Sequence, residues 1–143
     1  MKAVSHILGT RKGNIISVKP TDSVRQALEV MAKAEVGAVL VMDGERLAGI
    51  LSERDYARKI VLKGKGSEAT QVSEIMSERV ICVTLRTTTE EAMAIMSERS
   101  IRHLPVVDEA NKVLGVISIR DLVREIISEQ SFVIEQLEKY ITT

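Results

Sequence analysis

The chain has 143 residues, with 20 basic and 20 acidic side chains that cancel, so nothing pulls it globally toward nucleic acid or an anionic bilayer. The apolar share of 45% is ample for a buried interior, whereas the 2% of aromatic residues, with no Trp, is too little for a base-stacking surface. The lone cysteine, Cys82, excludes an internal disulfide and a cysteine-built zinc site.

The opening Met1-Lys2-Ala3-Val4-Ser5-His6 lacks the apolar core of a signal peptide, and no stretch is long and apolar enough to span a bilayer, so a reducing cytoplasm is the expected compartment. A short segment, Val4 to Leu8, leads to the β-branched run Ile15–Val18, which predicts a strand. Ser23 and Gln26 have the spacing of a capping box, and Val24, Ala27, Leu28 and Met31 share one face of the helix it opens. Gly37 is expected to end that helical region. Ala38–Met42 is the apolar run of a strand buried on both faces, Asp43-Gly44 a hairpin turn, and Ala48–Leu51 the returning strand. Ser52 stands at the N-cap position of a helix from Glu53 to about Leu62. The glycine-rich Lys63-Gly64-Lys65-Gly66-Ser67 reads as a linker whose two lysines are solvated, with phosphate contact as the alternative.

The pattern then begins again. Val72-Ser73-Glu74-Ile75-Met76 resembles Val4–Leu8, Val80–Val83 predicts a strand, and Thr88 with Glu91 opens a helix with Ala92, Met93 and Met96 on one face. Leu104–Val107 and Val113–Ile117 are strands around a turn at Asp108–Asn111, and a helix starts at Ile119. Nine identities support a duplication. At a shift of 65, Val18, Ala27, Met31, Val41 and Asp43 fall on Val83, Ala92, Met96, Val106 and Asp108; at 66, Gly49, Ser52, Arg54 and Asp55 fall on Gly115, Ser118, Arg120 and Asp121. Each copy reads strand-helix-strand-strand-helix, an α/β (α+β) class, with the first unit at 1–68 and the second at 69–143. The last helix outruns its counterpart in a stripe of Val123, Ile126, Ile127, Val133, Ile134, Leu137, Tyr140 and Ile141, interrupted by Gln130. A self-association surface and a brace against the chain's own core both account for it.

A strand that ends in Ser-x-x-Asp at a helix start brings together a hydroxyl, backbone N–H groups that favour anions, and a carboxylate able to accept hydrogen bonds from the diol of a ribose. Ser52 with Asp55 and Ser118 with Asp121 form two such junctions, with Arg54 and Arg120 as nearby cations. The plain alternative is that each Ser caps its helix and each Asp complements the dipole. Arg102-His103, at the mouth of a buried strand, suits a phosphate; a surface Arg and a hydrogen-bonded His is the alternative there. The first copy has Gly37-Ala38 at this place, so the two sites are not chemically equal. No nucleophile with a base, phosphate loop, dinucleotide fingerprint or metal-ligand cluster stands out, and catalysis is not expected.

The doubled unit, each copy closed by Gly-apolar-x-Ser-x-x-Asp, and Arg-His-Leu-Pro-Val-Val-Asp inside the second, resembles the cystathionine-β-synthase (CBS) domain family over about Val4 to Glu125. The resemblance implies two CBS units packed as a pseudo-two-fold pair with two clefts, a module that senses an adenosine ligand (AMP, ADP, ATP, NAD or S-adenosylmethionine) and forms a homodimer, with no nucleic acid or membrane partner. It also implies ribose hydroxyls on Asp55 and Asp121, ribose or phosphate on Ser52 and Ser118, and phosphates on Arg102 and His103. Ile16, Val18, Ile81 and Val83 become adenine-facing strand edges, with a core role equally open. A structural or adaptor subunit that docks a protein through the last helix is the alternative function.

Overall fold

A computed structural model describes residues 2–9 and 15–142. Helix α1 (Val4–Leu8) leads to β1 (Ser17–Val18), α2 (Val24–Ala34), β2 (Ala38–Asp43), β3 (Arg46–Ser52) and α3 (Glu53–Tyr56), which continues into a π-helical turn over Ala57–Val61. The second half runs α4 (Val72–Ile75), α5 (Thr89–Arg99), β4 (His103–Val107), β5 (Val113–Ser118) and α6 (Ile119–Thr142). One sheet has the order β1-β2-β3, with β1 parallel and β3 antiparallel to β2; the other pairs β4 with β5 antiparallel. This is the mixed α+β architecture expected of the doubled unit.

Both capping boxes form. Ser23 Oγ accepts from the Gln26 N–H at 3.1 Å and Gln26 Oε1 from the Ser23 N–H at 2.8 Å, and Thr88 and Glu91 repeat the exchange. Equivalent irregularities recur too. Each hairpin shifts register at the same place, Val41/Met42 and Val106/Val107, and α2 and α5 both end on a left-handed residue, Glu35 and Ser100.

Two expectations are corrected. Gly37 does not end α2; the chain reverses at Glu35 (φ 56°), and Gly37 leads into β2. The predicted strand Val80–Val83 shrinks to one bridge, in which the Val83 N–H donates to the Pro105 carbonyl and the Val107 N–H to the Val83 carbonyl, each at 2.9 Å. The turn at Thr84–Thr87 cuts the ladder short, just as the turn at Lys19–Asp22 limits β1 to two residues.

The two hydrophobic cores exchange their leading segments. Val72 and Ile75 of α4 pack among Val18, Ala27, Met31, Val41 and Leu51 of the first half. Val4 and Leu8 of α1 pack among Val83, Met96, Leu104, Ile117 and Leu122 of the second. Backbone bonds tie them in place: the Val72 N–H donates to the Asp22 carbonyl at 2.8 Å and the Val4 N–H to the Thr87 carbonyl at 2.7 Å. The glycines of the repeated motif explain how closely these segments approach. A Cβ on Gly115 would lie 2.7 Å from Leu8 Cδ1, and one on Gly49 would lie 2.8 Å from both Met76 Sδ and the Ser77 carbonyl oxygen. At Gly49, where the obstacle includes backbone, only glycine leaves that room; at Gly115 the obstacle is a side-chain end.

Candidate functional site

Both Ser-x-x-Asp junctions are built as capping boxes. The Asp55 N–H donates to Ser52 Oγ at 3.2 Å and the Ser52 N–H to Asp55 Oδ2 at 3.0 Å. At the second junction the Asp121 N–H donates to Ser118 Oγ at 3.3 Å and the Ser118 N–H to Asp121 Oδ2 at 2.8 Å. The plain reading of the motif therefore holds at both ends, and one oxygen of each carboxylate is engaged by its own helix start.

What surrounds the junctions differs. Asp55 Oδ1 meets the Lys59 ammonium at 3.2 Å, Lys59 also donates to the Ile75 carbonyl at 2.9 Å, and Arg54 Nη1 donates to the Ser100 carbonyl at 3.3 Å. The residue 66 positions after Lys59 is Glu125, a carboxylate in place of the ammonium. Its Oε1 is buried, and its contact is an ion pair with Lys2 Nζ at 2.9 Å rather than an aligned hydrogen bond. His6 Nε2 lies 3.6 Å from the same oxygen.

The second junction opens onto a cleft of about 760 Å³ between the two halves. Ser118, Arg120, Asp121, Arg102, His103 and Ile16, six of the residues singled out in the sequence, line it together. The β4–β5 register sets His103 opposite Ser118, and the Ile119 N–H donates to the Arg102 carbonyl at 2.9 Å, so the basic pair and the Ser-x-x-Asp junction share one end of one sheet. From the first half come Ile15, Ile16 and the segment Glu35-Val36-Gly37-Ala38. The charged lining comprises Arg102, Arg120 and Arg124 against Glu35 and Asp121, an excess of positive charge in a recess that also has apolar walls.

His103 sits where the halves meet, near Gly37. Burial lowers its pKa below the ordinary 6.5; the Asp121 charge opposes that shift, Arg102 adds to it and Glu53 opposes it. The lowered pKa favours the neutral imidazole at neutral pH. Burial likewise raises the Cys82 thiol pKa, leaving it a poor nucleophile.

Ser52, Arg54 and Asp55 lie outside the walls of this cleft. Val18 and Val83 are 5% and 4% exposed and belong to the two cores, and Ile81 packs against the second; of the four strand-edge candidates, only Ile16 lines the cleft. Arg124 and Glu35 are the charged wall residues not singled out in the sequence. Arg124, one helical turn beyond Arg120, was accessible to the rule that residues four apart share a face; nothing in the local pattern marked Glu35. Among the described residues no group of His, Cys, Asp and Glu could hold a metal ion, and no helix is long and apolar enough to cross a membrane.

The CBS domain family profile matches residues 4–62 and again 72–128, which covers both halves and both junctions. The chain belongs to the CBS domain family. A CBS-domain protein from Burkholderia ambifaria MC40-6 has the same fold at a TM-score of 0.86 and 45% identity, covering 90% of this chain and 96% of that one. The mitochondrial CBS domain-containing protein CBSX3 of Arabidopsis thaliana is 41% identical over 125 residues, 84% of this chain; this chain spans 60% of that protein's length. A CBS domain protein from Pyrobaculum aerophilum, solved in complex with AMP, matches at a TM-score of 0.78 and 27% identity, over 91% of this chain and 98% of that one.

Proposed function

We propose that this CBS pair, assembled from the units 1–68 and 69–143, is a non-catalytic regulatory module that binds one adenosine nucleotide per chain in the cleft at Ser118–Asp121. The observation that carries this reading is the convergence of a carboxylate, a helix start, three arginines and a half-buried histidine of lowered pKa on one apolar-walled recess. In that arrangement Asp121 takes the ribose diol, Ser118 and the first N–H groups of α6 border the sugar and first phosphate, and Arg102, His103, Arg120 and Arg124 take the phosphates. Ile15, Ile16 and Val36 form the apolar wall for the base. Of the AMP, ADP, ATP, NAD and S-adenosylmethionine class, the arginines favour the members that bear phosphate. The AMP complex of the Pyrobaculum relative supports the ligand class.

Ligand entry signals only if it binds two arrangements of the halves unequally; a cleft with walls from both halves meets the geometric requirement. The working form in this reading is a homodimer in the cytoplasm. Calorimetric titration with AMP, ATP, NAD and S-adenosylmethionine tests it. Binding of at least one phosphate-bearing member is expected, and no heat from any of them at millimolar concentration would exclude the sensor. An adaptor without ligand response is the second reading, favoured by the exposed apolar face of α6.

A further inference from the structure

The cleft at Ser118–Asp121 has a neighbour. A second recess of about 430 Å³ is lined by His6 and Ile7 of α1 and by Asp121, Arg124, Glu125 and Ser128 of α6. Asp121 and Arg124 line both spaces, so the two share a wall. The second recess alone falls within the roughly 300–1,000 Å³ of ordinary small-molecule sites. Helix α1 reaches this place because Val4 and Leu8 are buried in the core of the second half, which brings His6 and Ile7 alongside α6. The equivalent place in the first half is used differently. There the Lys59 ammonium bridges Asp55 Oδ1 and the Ile75 carbonyl of α4.

The walls select what can enter. Arg124 is the cation common to both spaces; beyond it stand the Glu125 carboxylate and the Ser128 hydroxyl. The Glu125 side chain is 13% exposed, and Lys2 and His6 both meet it through Oε1, at 2.9 and 3.6 Å. Those contacts bury Oε1 and leave Oε2 to accept from a ligand. A carboxylate oxygen is acceptor-only, so it suits hydroxyl groups and repels a further phosphate. Asp121 and Glu125 are four residues apart on α6, which puts them on one face about 6 Å apart along the axis. We infer that the second recess takes the distal ribose of a ligand in which a diphosphate links adenosine to a second sugar, as in ADP-ribose or NAD. The adenosine ribose stays on Asp121, the diphosphate bends over Arg124, and hydroxyls of the second ribose donate to Glu125.

This inference deepens the nucleotide reading and rests on it, naming which members of the adenosine class use both spaces. The test is calorimetric titration of the full chain with ADP, ADP-ribose, NAD and ATP. ADP-ribose and NAD should bind roughly 10-fold tighter than ADP, the gain of one hydrogen bond to a charged group. ATP adds phosphate but no sugar and should not share that gain. Ser128→Phe, at an exposed position of α6 that lines only the second recess, fills that space. It should bind ADP as the wild type does, which also reports an intact cleft, and should lose the advantage of ADP-ribose. Equal affinities for ADP and ADP-ribose in the wild type, an ATP gain as large as that of ADP-ribose, or a gain that survives Ser128→Phe would overturn the second subsite and leave the nucleotide reading standing. No binding of any of the four at millimolar concentration would overturn both.

Discussion

At Ser52–Asp55 and at Ser118–Asp121 the chain makes the same local structure from the same residues: a strand ends, the serine caps a helix start, and the aspartate returns the bond. The first junction is then occupied by the chain's own side chains, Lys59 on Asp55 and Arg54 on the Ser100 carbonyl. The second faces a cleft that holds Arg102 and His103 where the first half has Gly37 and Ala38, and it has Glu125 where the first has Lys59. The repeat therefore supplies the scaffold twice, and three positions outside the motif distinguish the junction proposed to bind nucleotide from the one proposed to be a structural cap. A motif shared by both copies says where a site can be built; the neighbours that differ decide which junction the proposal assigns to the ligand.

Replacing each aspartate in turn breaks the comparison most severely. Each loses its capping partner, so Asp55→Ala and Asp121→Ala should both lower stability by about 1 kcal/mol in urea unfolding. Only Asp121→Ala should lose nucleotide binding. Charge-assisted hydrogen bonds of about 1.5–3 kcal/mol convert to a drop of roughly 10- to 100-fold in affinity by calorimetry. Equal losses from both variants would remove the distinction between the junctions.

The motif glycines come next. Gly49→Ala meets a backbone carbonyl as well as Met76, whereas Gly115→Ala meets the end of a Leu8 side chain that can turn aside. Overpacking of about 1–3 kcal/mol is expected for Gly49→Ala and the lower end of that range for Gly115→Ala, read from chemical denaturation midpoints. A smaller effect should follow Glu125→Lys, which installs the first junction's lysine beside Asp121. The added i,i+4 pair should weaken nucleotide binding by roughly threefold, in line with the few tenths of a kcal/mol such pairs supply; unchanged affinity would show that Lys59 is not what separates the junctions.

The slightest effect concerns pH. Because His103 is held below its ordinary 6.5 in the fold, the unfolded chain takes up this proton first as the pH falls. Its contribution to stability is therefore intact above 6.5 and lost on acidification from there down through the folded-state value. A phosphate in the cleft stabilises the charged imidazole, so an NMR titration of the His103 ring should move to higher pH when AMP is added. A downward move would place the phosphate elsewhere.

Much of this was legible in the residues. The capping boxes, the buried strand runs and the doubled Gly-to-Asp motif identified the elements because each rests on local spacing. The docking of α1 and α4 into each other's cores was not legible, since Val4–Leu8 and Val72–Ile75 are short, similar segments and only tertiary contact chooses between the two cores. Val18 and Val83 resisted the same reading, because a β-branched residue at a strand edge looks alike whether it faces a ligand or a core. The Lys59-to-Glu125 difference was present in the sequence but lies one turn past the motif, and its meaning depends on where Lys2 and His6 stand in space.

Native mass spectrometry of the chain titrated with AMP tests the difference between the junctions most directly, because it counts ligands per chain. Saturation at one AMP per chain is expected, retained in Asp55→Ala and lost in Asp121→Ala. Two equivalents per chain, or one that survives Asp121→Ala and disappears in Asp55→Ala, would contradict it.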